Sequence, residues 1–276
     1  MTHAEHAALA SYREMGFWIG PRLFGDHGVE RLRDACTRVL SGDLGGRFSP
    51  HFLIDDAQPV GGLRRAFNSS FVNPIIRDAL YGSRVGELAA RLMGVDVVRL
   101  WYSQIIEKPG TTTESTAETA AIVGWHQDYR YWQCCEHTNF VTAWIALQET
   151  TRTNGGMRFV IGSNKWGLVP SDKGFNAQQL DELRRTLQAK TTQNWVEKDC
   201  DLQPGQVSFH HSLTFHASGS NRSSDSRLGI AVHLMPSGTR RRHGSACHQS
   251  LTFLEPMPRP LDPFVGDQWP IIWPVE

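Results

Sequence analysis

His126 and Asp128 stand two positions apart in Gly124-Trp125-His126-Gln127-Asp128-Tyr129, and His216 follows ninety residues after His126 (216 − 126). Side chains at i and i+2 of a strand share a face. On a strand, this pair grips one metal ion from one side, so a third ligand has to come from elsewhere in the fold. His216 is the best candidate. The constraint on the fold is strong, because two segments far apart in the chain must meet at one point. Two His and one carboxylate on one face leave three positions open on an octahedral ion, the arrangement of non-haem Fe(II) oxygenases.

The hydrophobic pattern supplies an architecture that can do this. Residues 4–15 read as helical and Phe17–Ile19 as a short strand. An amphipathic helix runs from Gly25 or Asp26 to about Leu40, with Val29, Leu32, Cys36, Val39 and Leu40 at helical spacing. Residues 41–62 read as a loop rich in Gly, Pro and Asp. Pro74 opens another helix, and a third, about Arg84–Met93, stops at Gly94. From Val97 the pattern changes to short strands: Val97–Glu107, Asn139–Leu147, Arg158–Ile161, Val207–His211 and Leu228–Met235. Strands at such spacing suggest a barrel or jelly roll. The expectation is a mostly β chain with flanking helices, one domain over 1–276. Within it, 1–95 is a helical support region, 96–240 the barrel core and 241–276 a C-terminal extension.

Several segments resemble the phytanoyl-CoA dioxygenase family of Fe(II)/2-oxoglutarate oxygenases in order. Gly16-Phe17-Trp18-Ile19 looks like its opening strand, and Gln104-Ile105-Ile106-Glu107-Lys108-Pro109-Gly110 like its strand and KPxG turn. Trp125 to Trp144 carries the HxD motif and a Thr-Ala-Trp strand. Pro204 to Val232 carries a PGD-like turn, the distal His and then Arg227, eleven after His216 (227 − 216). The resemblance implies a double-stranded β-helix, or cupin-like, core and an oxygenase whose cosubstrates are 2-oxoglutarate and O2. It makes His126, Asp128 and His216 the Fe(II) ligands and gives Arg227 the distal carboxylate of 2-oxoglutarate, a task that suits the planar guanidinium fork. By position it also assigns Ser218, Trp144, Gln104 and, through a looser alignment, Arg65 to the cosubstrate. Succinate and CO2 are the implied coproducts. In halogenase relatives the carboxylate ligand is replaced by Gly or Ala. Asp128 therefore points to hydroxylation, desaturation or ring closure.

Around the metal pair, Tyr129, Tyr131 and Trp132 are candidates for substrate contact, with barrel packing the plain alternative. His210, His211, His233 and His243 read as strand or loop residues bonded locally, with room for one of His210 and His211 to face inward. Thr111–Thr119 reads equally as a segment that covers or borders the metal and as a disordered hairpin tip, and the long insertion 163–199, with one helix at Asn176–Ala189, reads as a site lid. The Trp-His-Gln-Asp-Tyr-x-Tyr-Trp stretch resembles compact bacterial and fungal members of the family, many of which tailor natural products. A small, partly apolar metabolite is the expected substrate.

Bulk properties narrow the classes. With 28 basic and 28 acidic residues in 276, nothing points to nucleic acid or an anionic membrane surface. No apolar run is long enough to span a bilayer, the N-terminus lacks the features of a signal peptide, and five Cys without paired spacing fit reduced thiols in a cytoplasm. Two other classes remain on the residues alone. A cupin-type metal hydrolase or isomerase would use the same His and Asp on Zn. A catalytically silent barrel would bind a small molecule as a sensor.

Overall fold

The structure, a computed structural model, describes residues 3–55, 62–81, 83–111, 121–171 and 174–274. Five helices and twelve strands are named in chain order. The helices are α1 (His3–Met15), α2 (Asp26–Leu40), α3 (Pro74–Leu80), α4 (Arg84–Met93) and α5 (Leu180–Gln188). The strands are β1 (Phe17–Arg22), β2 (Leu53–Asp55), β3 (Arg64–Phe67), β4 (Val98–Lys108), β5 (Val123–His126), β6 (Val141–Ala146), β7 (Met157–Val160), β8 (Glu197–Asp199), β9 (Gln206–His211), β10 (His216–Ser218), β11 (Arg227–Pro236) and β12 (Ile271–Trp273).

Local chemistry explains the helices. α2 buries Val29, Leu32, Ala35, Cys36, Val39 and Leu40 along one stripe. α3 starts with Pro74 behind Asn73, whose side chain accepts from the Ile75 and Ile76 backbone N–H groups. α4 is capped by Ser83 and stops at Gly94, where φ is +70°. These helices cover the outer face of the larger of two sheets.

That sheet runs β1-β9-β6-β11-β4-β3-β2, with β12 also paired to β4, and all its ladders are antiparallel. The smaller sheet runs β5-β10-β7-β8. Phe17, Ile106, Trp144 and Ala231 from the larger sheet meet Val123 and Phe159 from the smaller in one buried cluster. Two antiparallel sheets facing each other over such a core make the expected jelly roll.

Three departures bear on the site. The strand carrying His126 ends there, and Asp128 opens a 3-10 turn, Asp128–Tyr131, so the pair does not share a strand. β2 lies inside the stretch read as loop, and β8, β10 and β12 are only three residues each, too short to show a period. The terminal regions are also woven into the body. β1, β2 and β3 belong to the larger sheet, while 241–276 supplies β12 and buries Leu251, Leu254, Phe264 and Trp269. No helix among the described residues is long and apolar enough to cross a membrane.

Candidate metal and cosubstrate site

β5 and β10 pair so that His126 lies directly opposite His216, with ring centroids 4.1 Å apart. Each ring is held the same way. His126 Nδ1 bonds the Gly124 carbonyl at 2.8 Å and His216 Nδ1 bonds the Thr214 carbonyl at 3.0 Å. A carbonyl only accepts, so each Nδ1 carries a proton, and the neutral ring then keeps its lone pair on Nε2. Asp128 Oδ1 is 3.5 Å from His126 Nε2 and 3.6 Å from His216 Nε2. All three side chains are buried, and their donor atoms lie within 4.8 Å of one another. Two imidazole nitrogens and one carboxylate oxygen, converging with lone pairs free, fit a divalent ion with open positions.

The second carboxylate oxygen is anchored elsewhere. Thr142 Oγ1 donates to Asp128 Oδ2 at 2.7 Å, and His210 Nε2 lies 3.2 Å from the same atom. Such outer bonds orient a ligand and set its basicity. Burial opposes the charge on Asp128, but the imidazoles around it outweigh this and hold the carboxyl well below the usual carboxylate range. Burial pushes His216 well below the ordinary histidine value, with His126 and His210 adding to the shift. Neutral imidazole is the form that binds a metal.

Arg227, first residue of β11, is 2% exposed. Its Nε and Nη1 have no hydrogen-bond partner among the described residues, and its guanidinium carbon sits 4.9 Å from the Trp144 ring centroid. Burial lowers its pKa to about 10, which leaves it charged at neutral pH. A Cβ at Gly229 would lie 2.2 Å from the Trp144 indole, so glycine is what lets that ring reach across β11 beside Arg227. Lys108 faces Arg227 across the β4–β11 ladder and spends its ammonium on the Ser218 and Gly219 carbonyls. Arg227, Trp144, Ser218, Met157 and the three metal ligands line one cavity of about 60 Å³. A buried guanidinium with unused donors at its end is a seat for a carboxylate.

Gln104, His126, Asp128 and Phe175 line this cavity and also a wider vestibule of about 290 Å³. Tyr131 and Arg65 stand in the vestibule wall with Asp55, Phe67, Tyr102, His248, Ser250 and Thr252. Arg65 pairs with Asp55 and does not line the inner cavity. Tyr129 and Trp132 lie elsewhere, in the apolar cluster with Trp101, Phe140 and Leu254. Tyr129 donates its hydroxyl to the Cys135 carbonyl at 2.8 Å, and Trp132, fully buried, directs its indole N–H toward Tyr102 at 3.3 Å. Tyr129, inside the 3-10 turn, and Trp132, just after it, pack into this cluster and line neither the cavity nor the vestibule. Of the 163–199 segment, Phe175 reaches the site. Of 111–119, all but Thr111 lie outside the described residues.

The family model of phytanoyl-CoA dioxygenase (PhyH) matches residues 12–229. The chain belongs to the phytanoyl-CoA dioxygenase family. It is an oxygenase that depends on iron and 2-oxoglutarate. Among curated family relatives, a probable alpha-ketoglutarate-dependent hypophosphite dioxygenase of Stutzerimonas stutzeri is 30% identical, over 80% of this chain and 75% of its own. The ectoine dioxygenase of Streptomyces avermitilis is 27% identical, over 64% of this chain and 59% of its own. In structure, the carbocyclase SnoK from nogalamycin biosynthesis superposes with a TM-score of 0.76 at 22% identity, covering 99% of this chain and 96% of that one. This last likeness is one of fold.

Sequence reasoning missed part of the site. His210, read as locally bonded, supports Asp128, and His233 bonds Thr142 and Gln104. Their place on expected strands was the available signal; that β9 and β11 both flank β6, which carries Thr142, only the structure shows. The His248, Ser250 and Thr252 wall had no local signal at all.

Proposed function

We propose that this family member oxidises a C–H position of a small organic metabolite, of the kind modified in natural-product biosynthesis, and releases succinate and CO2. When bound, iron would activate O2, which is the oxidant, with 2-oxoglutarate supplying two of its four electrons by oxidative decarboxylation to succinate and CO2 and the substrate C–H supplying the other two. His126, Asp128 and His216 hold the metal from one side. Arg227 takes the distal carboxylate of 2-oxoglutarate, Trp144 stacks under the guanidinium, and Ser218 adds a hydroxyl to the same wall. Burial of this end excludes water, so the charge-assisted bonds act in a medium of low polarity. The substrate enters from the vestibule, where Phe67, Phe175 and Tyr131 offer ring surface and the 248–252 segment offers polar groups. The aromatic lining and the vestibule volume favour an organic molecule over a small inorganic anion.

The observation that carries this reading is the unpartnered Arg227 guanidinium in one cavity with the three ligands. A hydrolase or isomerase acting through the metal does not require it, whereas a 2-oxoglutarate oxygenase needs a seat for the distal carboxylate. The test is anaerobic titration with Fe(II) and 2-oxoglutarate, followed by succinate measurement in air. Formation of the iron–2-oxoglutarate absorption band and succinate that requires both components is the expected result. A wild-type protein that binds Fe(II) yet neither binds 2-oxoglutarate nor forms succinate sinks it.

A further inference from the structure

One chain of hydrogen bonds leaves the metal site and ends at an atom without a partner. Thr142 Oγ1 lies 2.7 Å from Asp128 Oδ2 and 2.8 Å from His233 Nδ1, and His233 Nε2 lies 2.9 Å from Gln104 Nε2. A carboxylate only accepts, so the Thr142 proton points to Asp128. Thr142 Oγ1 must then accept from His233 Nδ1–H. The ring is enclosed, 4% exposed, and the Gln104 amide nitrogen facing it only donates, so His233 Nε2 accepts from Gln104. Each bond orients the next, and the amide has one orientation left. Its oxygen, Oε1, is buried and has no donor among the described residues. Gln104 lines both the metal cavity and the vestibule.

The resemblance gives Gln104 to the cosubstrate, but its amide nitrogen is spent on His233 and 2-oxoglutarate, as a dianion, offers only acceptors, so the cosubstrate cannot satisfy this oxygen and Gln104 is left for the substrate. We propose that Gln104 Oε1 is a fixed acceptor for the substrate, which carries a hydroxyl or N–H donor close to the carbon that is oxidised. Gln104 is thereby a specificity residue, and Thr142 and His233 are positioning residues that tie its orientation to the metal ligand Asp128. The rest of the vestibule agrees with an uncharged, ring-bearing molecule. Phe67, Phe175 and Tyr102 offer ring faces, and the lining guanidinium, Arg65, is neutralised by Asp55. A phosphorylated or CoA-linked substrate would find no free guanidinium among these described lining residues.

This inference rests on the oxygenase reading, and the test separates the two. Protein loaded with Mn(II) and 2-oxoglutarate is titrated with cyclohexanol and with cyclohexyl methyl ether, and paramagnetic broadening of the ligand protons reports binding near the metal. The pair differs in the donor. The alcohol is expected to bind at least about tenfold more tightly, because the ether leaves a buried acceptor unpaired. In Gln104→Met the preference disappears while Mn(II) and 2-oxoglutarate affinities stay within about twofold of wild type. Wild-type protein that binds alcohol and ether alike, or neither, overturns the proposal without needing the variant. A Gln104→Met protein that keeps the preference, or that instead loses 2-oxoglutarate affinity, overturns it too. Loss of Mn(II) or 2-oxoglutarate binding in the wild type would strike the oxygenase reading itself.

Discussion

Arg227 shows how a single side chain can announce a ligand. Its Nε and Nη1 are buried without partners, a condition that costs several kcal/mol unless an anion arrives. Arg227→Ala is expected to weaken 2-oxoglutarate binding by about thirty- to several-thousand-fold, the equivalent of losing a buried charge pair worth roughly 2–5 kcal/mol. Arg227→Lys should recover only part, since a point charge cannot supply two parallel bonds; an unchanged cosubstrate dependence in Arg227→Ala would place the carboxylate elsewhere. Thr142→Val tests the support of the metal. It keeps the shape of the side chain but removes the donor to Asp128 Oδ2. A ten- to hundredfold loss of Fe(II) affinity, by order of magnitude, is expected in an equilibrium titration. Wild-type affinity would show that Thr142 does not orient the ligand. The candidate triad His126, Asp128 and His216 was legible from motif and order, whereas Thr142 was not, because nothing in a lone strand threonine marks which carboxylate it will meet.

At the scale of elements, register does the assembling. The β5–β10 pairing puts His126 opposite His216, and the following 3-10 turn delivers Asp128. The sequence motif suggested a shared strand face for His126 and Asp128. The observed turn reaches the same convergence by a different backbone route. The elements after the turn separate two roles proposed for its aromatics. Tyr131 reaches the vestibule, while Trp132 packs with Trp101 and Phe140 and lies edge-on to His233 at 5.0 Å between centroids. Trp132→Ala is therefore expected to cost about 3–5 kcal/mol of stability through the cavity it leaves, a melting temperature lower by roughly 10 °C. Calorimetry and the product ratio measured on the same variant decide the matter. A normal melting temperature with altered products would restore a substrate role. The helices α2, α3 and α4 were readable from spacing and caps alone, because their signals lie within a few residues. The three-residue strands were not, since pairing with a neighbour is all that defines them.

For the whole molecule, burial of histidine sets a pH dependence. Burial lowers His233 and His211 to about 4 from an ordinary value of 6.5, and His211 Nδ1 accepts from the Leu213 backbone N–H, which needs the neutral ring. Between pH 6.5 and 4 the unfolded chain holds these protons and the folded chain does not, so stability declines as pH falls through that window. Metal-free protein should show a melting temperature that drops steadily from pH 7 to pH 4.5, and a flat profile would show that neither ring is held neutral. By itself, the sequence determined the class of chemistry and the kind of fold: the HxD pair, the Arg eleven residues after the distal His and the short alternating strands are local patterns, and the order of the two clusters is read along the chain. Tertiary structure alone decided the surroundings of the metal. The Thr142–His233–Gln104 relay joins positions 91 and 129 residues apart, and the C-terminal segment closes the vestibule with His248, Ser250 and Thr252. The physical reason is that which side chains face each other across a sheet depends on strand order and register, and a one-residue slip would turn every one of them to the other face.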